Sequence, residues 1–175
     1  MSRARAGDRI SPNDSASRDT GSSPLCSDVR IELDLKTEKW VYGGDGLARA
    51  DGRVVLTPFV LPGEEARVAV EPAKGGLYRG RLITLRSASP HRVEPACPYF
   101  GRCGGCHYQN ADYAFQVSAK AEILREQLRR VGRIDWPGEI PVVTGEPWRY
   151  RNRVQVHFGE AGAGYFAAGS HELVP

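Results

Sequence analysis

The sequence predicts a mainly β fold with one helix: a small OB-like barrel, a cysteine-rich loop, a helix and the start of a second β-rich segment. Three observations support this prediction. Apolar and polar residues alternate in short runs between residues 29 and 88. One stretch, residues 111–133, instead carries apolar residues at steps of three and four. Three of the four cysteines fall within residues 97–106.

Residues 29–88 are predicted to form the barrel from about five short strands. Alternation is clearest in two runs, Val29, Ile31, Leu33 and Leu35, and Ala66, Val68 and Val70. Turn signals separate the strands at residues 43–46 (GGDG), Asp51-Gly52, Pro62-Gly63 and Gly75-Gly76. Closing such strands into a barrel removes unpaired sheet edges, and this favours an OB-like architecture.

The helix predicted over residues 111–133 has clear signals at both ends. Asn110 or Asp112 can cap its first turn, and Gly132 can end it. We expect its buried face to be the stripe formed by Tyr113, Val117, Ala121, Leu124, Leu128 and Val131. This helix connects the cysteine-rich loop to the last segment of the chain.

Residues 134–175 are predicted to begin a second β-rich unit. The run WRYRNRVQVHF (residues 148–158) alternates, and this predicts a strand with Arg149, Arg151 and Arg153 on one face. The run GYFAAGSHELVP (residues 164–175) follows a Gly/Ala-rich turn and predicts a partner strand. Three like charges on one strand face oppose its burial, so we expect that face to contact phosphate groups.

Composition and charge predict the remaining segments of the chain and its type of partner. Residues 1–28 are rich in Ser, Asp, Arg and Pro, and this predicts a disordered tail. Residues 89–110 form the cysteine loop. The net charge is +3, and residues 91–153 carry ten Lys and Arg against seven acidic residues, which permits a nucleic-acid partner. No secretory signal or long apolar run occurs, so we expect a cytoplasmic monomer without a membrane partner.

The cysteine motif CPYFGRCGGCHYQ (residues 97–109) places Cys97, Cys103 and Cys106 at C-x5-C-x2-C spacing. Gly101, Gly104 and Gly105 allow positive φ angles around an inorganic core. A disulfide is disfavoured in a reducing compartment. A zinc site completed by His107 or Cys26 remains an alternative, and a radical-type cluster would need C-x3-C-x2-C. We favour a [4Fe-4S] cluster with its fourth cysteine elsewhere.

This motif resembles the C-P-x-F-G-x-C-G-G-C-x-x-Q motif of the RNA uracil-5-methyltransferases, which modify ribosomal and transfer RNA with S-adenosylmethionine. Upstream, residues 42–64 (YGGDGLARADGRVVLTPFVLPGE) resemble the TRAM domain of this family, an OB-type RNA-binding barrel. Downstream, residues 148–158 and the run GYFAAGSHELV resemble the start of its central β-rich domain. The resemblance covers roughly residues 30–174.

The resemblance implies that Cys97, Cys103 and Cys106 are cluster ligands and that the fourth ligand follows the segment at residues 171–174, so that this chain is one ligand short. It also implies that uracil methylation uses a cysteine nucleophile in a D-P-P-R-type context, within a Rossmann-like domain that binds S-adenosylmethionine. That context is not in this sequence. We therefore expect no methyl transfer by these 175 residues alone. The alternative is a stand-alone, zinc-stabilised RNA-binding module.

An RNA-contacting surface is also predicted on the barrel. The aromatic residues Tyr42, Phe59 and Tyr78 are candidates for stacking on bases. The basic candidates are Arg49, Arg53, Arg79 and Arg81, together with Arg149, Arg151 and Arg153 in the second unit. An equally simple interpretation of the barrel residues is a set of core aromatics and a solvated face.

Overall fold

The structure is a computed structural model, which describes residues 31–160 and 162–175. The described residues contain nine strands: β1 (Ile31–Lys36), β2 (Lys39–Trp40), β3 (Gly46–Ala50), β4 (Arg53–Thr57), β5 (Glu65–Pro72), β6 (Leu77–Ser87), β7 (His157–Gly159), β8 (Gly162–Phe166) and β9 (Leu173–Val174). The helix α1 spans Tyr113–Arg130. The mainly β fold with one helix is therefore confirmed, while Val29, Cys26 and the predicted tail lie outside the described residues.

The first six strands form one curved sheet in the order β1-β5-β6-β4-β3-β2. All neighbouring pairs are antiparallel except β4 and β6, which run parallel. Asp51 and Gly52 both have positive φ, as the predicted two-residue hairpin between β3 and β4 requires. The sheet curls so that β1 packs near β3, which is consistent with a small barrel.

The barrel core comes from the inward positions of the predicted alternating runs. Its buried residues are Leu35, Ala48, Val55, Val60, Ala66, Val68 and Val70. Alternation therefore identified the inner face of β5 completely, because a half-buried strand must place every second side chain inside. The outer positions of β5 and β6 are mostly charged or exposed.

A second apolar cluster joins the barrel to α1, and it corrects the predicted helix face. Trp40 and Leu61 of the barrel pack against Ile123, with Phe115 and Ala119 beside them. The predicted stripe is wrong, because Leu124 is 48 % exposed and Val131 is 76 % exposed. The helix carries two overlapping apolar faces, and the position of Trp40 selects the one that becomes buried.

The helix ends follow the sequence signals. The carboxylate of Asp112 accepts a hydrogen bond from the Phe115 amide at 2.8 Å and caps the first turn. Asn110 instead donates to the carbonyl of Phe59. No helix in the described ranges is both long enough and apolar enough to cross a membrane.

The second unit is only partly as predicted. Strands β7, β8 and β9 form an antiparallel sheet, which confirms a partner strand in the GYFAAGSHELVP run. The prediction of a strand over residues 148–158 is wrong for residues 148–156, where no strand forms. The physical reason is that no neighbouring strand in the described residues supplies a hydrogen-bonding partner. A run of alternating residues without such a partner gains little free energy by adopting the extended conformation of a strand.

Replacing Gly164 by Ala is expected to destabilise this small sheet. A Cβ at Gly164 would lie 2.0 Å from the carbonyl oxygen of Val174, so the strands would have to separate. Gly159→Ala is the matched control, since its Cβ would make an ordinary 3.5 Å contact with Leu173. Hydrogen exchange at the Ala167 amide, which bonds to Glu172, should become faster only in Gly164→Ala. Equal exchange rates in both variants would contradict the prediction.

Candidate metal centre and nucleic-acid interface

The cysteine motif lies at a junction of the barrel, α1 and the second sheet. On the barrel side, the ring of Phe100 contacts that of Phe59 edge-on, with centroids 5.0 Å apart. Phe59 has a positive φ of 63°, and its carbonyl accepts hydrogen bonds from Asn110 and Arg92. Phe59 is thus an anchor for the loop and is not a free stacking platform.

A buried ion pair fastens the loop to the barrel. The Glu64 carboxylate is fully buried and accepts two 2.6 Å hydrogen bonds from the Arg92 guanidinium. The amides of Leu61 and Ser89 also donate to it. Burial alone would raise the pKa of Glu64, but these hydrogen bonds hold it below its ordinary value. This pair is not predictable from the sequence, because no local signal joins two residues 28 positions apart.

A second polar contact joins the loop to the start of α1. Nδ1 of His91 lies 2.8 Å from the Asp112 carboxylate. The imidazole ring of His91 stacks on the ring of Phe115, with 4.4 Å between the ring centroids. The pKa of Asp112 is lowered, first by the Phe115 amide and then by His91. The helix cap and the linker preceding the cysteines are therefore one hydrogen-bonded unit.

The second sheet contacts the loop through backbone hydrogen bonds. The Gly104 amide donates to the Phe166 carbonyl at 2.9 Å, and the Ala168 amide donates to the Arg102 carbonyl at 3.1 Å. Cys103 forms an isolated bridge with Ala167. The middle cysteine is thereby held against the turn that follows β8.

Two of the three glycines act differently from the prediction. Gly101 has φ of 88° and occupies the left-handed region. Gly104 and Gly105 do not have positive φ, so that part of the prediction is wrong. Gly104 instead lies close to the second sheet, where a Cβ would make a tight 3.0 Å contact with the Phe166 carbonyl oxygen.

The three cysteines are free thiols, with Cys106 exposed and the other two half-buried. The Gly105 amide points at Sγ of Cys103, 3.4 Å away, and the Cys97 amide donates to the Gln109 side chain at 3.2 Å. Three thiols and a sulfur-directed amide are the donor chemistry of an iron–sulfur or zinc site. No three His, Cys, Asp or Glu side chains converge on one point in residues 31–160 and 162–175. The cysteine side chains are therefore of the right type to bind such a metal centre, but their sulfur atoms do not converge on one point in the described residues.

The predicted barrel arginines do not form one free basic surface. Arg49 pairs with Glu38, and Arg79 donates to Asp45 at 2.6 Å. Arg53 lies over the ring of Tyr78, 5.5 Å from its centroid. Arg81 is exposed on β6 and has no ion-pair partner in the described part of the chain. Nearby carboxylates lower the positive potential of this face, so RNA contact by these four residues stays a prediction.

The other three arginines lie outside any strand. Arg149 has a positive φ of 59°, and Arg151 stacks on Tyr150 with 5.8 Å to the ring centroid. Arg149, Arg151 and Arg153 are all exposed. The common strand face predicted for them is absent, because residues 148–156 make no ladder. Arg149 and Arg151 instead line a cavity beside Cys106 and His107.

Comparison with known proteins finds RNA methyltransferases that are similar to this chain. No protein-family model matches it. It is 36 % identical over 147 residues to an uncharacterised RNA methyltransferase of Halalkalibacterium halodurans, covering 81 % of this chain and 32 % of the relative. It is 35 % identical over 137 residues to the 23S rRNA (uracil(1939)-C(5))-methyltransferase RlmD of Methylococcus capsulatus, covering 78 % and 30 %. An uncharacterised RNA methyltransferase of Gloeobacter violaceus is 37 % identical over 140 residues, covering 76 % and 31 %.

These relatives are named RNA methyltransferases, and the one from Methylococcus capsulatus is named a uracil-C5 methyltransferase. This similarity fits the RNA uracil-5-methyltransferase family that the cysteine motif predicted. The chain spans about a third of the length of the curated relatives it matches.

Proposed function

We propose that this chain is the RNA-binding and iron–sulfur portion of an RNA uracil-5-methyltransferase that uses S-adenosylmethionine. The observation that carries the proposal is the position of the cysteine motif, which matches the family and is fixed between a curved β barrel and a second sheet. In this proposal Cys97, Cys103 and Cys106 bind a [4Fe-4S] cluster. Methyl transfer takes place in the part of the relatives that the chain does not span.

The proposed partner is ribosomal or transfer RNA. Arg149, Arg151 and Arg153 are the strongest phosphate contacts, because their guanidiniums are exposed and no carboxylate of the described residues forms an ion pair with them. The barrel contributes Arg81. It also contributes Arg49, Arg53 and Arg79, once RNA displaces the carboxylates that pair with them, those of Glu38, Asp51 and Asp45. Arginine suits phosphate because its planar guanidinium can donate two parallel hydrogen bonds to two oxygens of one phosphate group.

RNA binding provides the direct test. We expect the chain, purified without oxygen, to bind a structured RNA hairpin with an unpaired uridine loop, measured by fluorescence anisotropy. Changing Arg149, Arg151 and Arg153 together to Gln should reduce the slope of log affinity against log salt by about two, since each single-strand phosphate contact contributes about 0.7.

The matched control changes Arg129, Arg130 and Arg133 to Gln, which removes the same charge at the other end of α1. This control should retain the salt dependence of the unmodified chain. An identical loss in both triple variants would mean that net charge, and not the proposed arginines, controls binding. No binding of any RNA by the unmodified chain would overturn the proposed function.

A further inference from the structure

A cavity of about 960 Å³ lies between the cysteine motif, the first half of α1 and residues 143–151. Cys106 and His107 line one side of it, and Tyr113 and Lys120 line the helix side. The amide of Gly145 donates to the Tyr113 hydroxyl at 3.5 Å, which joins the outer wall to the helix. Its volume lies within the range of cavities that hold small organic ligands.

The walls of this cavity carry exposed aromatic rings. Trp148 is 52 % exposed, Tyr150 is 68 % exposed and Tyr113 is 36 % exposed. Tyr108 also lines the cavity. Large apolar rings are rarely left facing solvent together, and a flat aromatic ligand is the partner that several such faces accommodate.

Charged groups are distributed around the same rings. Nζ of Lys120 lies 5.1 Å from the Tyr108 ring centroid, and Arg149 and Arg151 line the opposite wall. Glu94 and Glu146 also line the cavity. Cations suit a phosphate, while carboxylates accept hydrogen bonds from the amino groups of a base. A nucleotide has both features, whereas an apolar peptide has neither.

We propose that this cavity binds one unpaired nucleotide of RNA, with its base stacked against Trp148 and its phosphate beside Lys120. The inference rests on the proposed RNA-binding function and deepens it, because it names a subsite and a single-stranded substrate. Paired bases cannot enter, since both of their faces are already stacked in a duplex. The cavity therefore selects unpaired nucleotides next to the cysteine motif.

The test uses the full chain and a short unstructured oligoribonucleotide, with duplex RNA as the comparison probe. Trp148→Ala should weaken binding of the oligoribonucleotide by roughly 5- to 100-fold, the range expected for losing one base stack. Trp136→Ala is the matched control, since Trp136 is 47 % exposed and lies outside this cavity. Lys120→Gln should reduce the salt slope by about 0.7, and the control Lys74→Gln should leave it unchanged.

Tryptophan fluorescence gives a second readout that does not depend on affinity. In Trp136→Phe, the remaining tryptophans are Trp148 and the buried Trp40. The oligoribonucleotide should quench the emission of Trp148, and duplex RNA should not. If the oligoribonucleotide binds equally to Trp148→Ala and Trp136→Ala and causes no quenching, the cavity is not the subsite and the proposed function stands. If no RNA binds to the unmodified chain, both proposals fail.

Discussion

Glu64→Gln is expected to lower the free energy of unfolding by about 3 kcal/mol, because it leaves the Arg92 guanidinium without its buried counter-ion. The Glu64 side chain is completely buried, and four donor groups from three residues converge on its carboxylate. A neutral amide cannot accept from all of them. Urea unfolding of the full chain measures the change.

Glu172→Gln is the matched control for this prediction. Glu172 pairs with Arg102 at 2.9 Å, but both side chains are about 60 % exposed. Exposed pairs contribute about 0–1 kcal/mol, so this variant should unfold almost as the unmodified chain does. An equal loss of stability in Glu64→Gln and Glu172→Gln would show that the buried pair does not hold the loop to the barrel.

The same pair predicts a pH dependence with a definite sign. The pKa of Glu64 is held below its ordinary value of 4.5 in the folded chain. Its contribution to stability is therefore complete above pH 4.5 and is lost as the pH falls through the lowered pKa. The stability difference between the unmodified chain and Glu64→Gln should shrink below pH 4.5. A difference that grows on acidification would contradict the assignment.

Cys103→Ala is expected to abolish iron binding by the reconstituted chain. Cys103 is the central thiol of the motif, its sulfur faces the Gly105 amide, and its backbone bridges to Ala167. Loss of this thiolate leaves two motif ligands, too few to retain a cubane cluster. Iron content and the visible absorption of the cluster should both fall to background.

Cys26→Ala is the control, because it removes a thiol from outside the cysteine motif. Iron content should be unchanged in this variant. If Cys26→Ala loses iron as Cys103→Ala does, the iron ligand set includes Cys26. Retention of full iron content by Cys103→Ala would contradict the proposed ligand assignment.

Local signals predicted those features that a few adjacent residues determine. Asp51-Gly52 forms a hairpin because both residues accept positive φ, and Asp112 caps α1 because its carboxylate reaches the Phe115 amide. The inner face of β5 followed from period-two alternation, since the spacing of side chains in a strand is fixed by the backbone. These predictions needed no knowledge of distant residues.

Features that depend on distant partners could not be predicted. The choice of Ile123 over Leu124 as the buried residue depends on Trp40, more than 80 positions earlier. The same limit applies to the Glu64–Arg92 pair. Residues 148–156 carry the pattern of a strand, but pattern alone does not supply a hydrogen-bonding neighbour. The cysteine spacing predicted donor types, whereas the sulfur positions depend on the contacts made by Phe100 and Gly104.

The most direct test of the proposed metal centre is the iron, sulfide and zinc content of the chain after anaerobic reconstitution with a small thiol present. We predict about four iron and four sulfide per chain, as a [4Fe-4S] cluster requires. About one zinc per chain, with iron and sulfide at background, would contradict the iron–sulfur assignment of the cysteine motif.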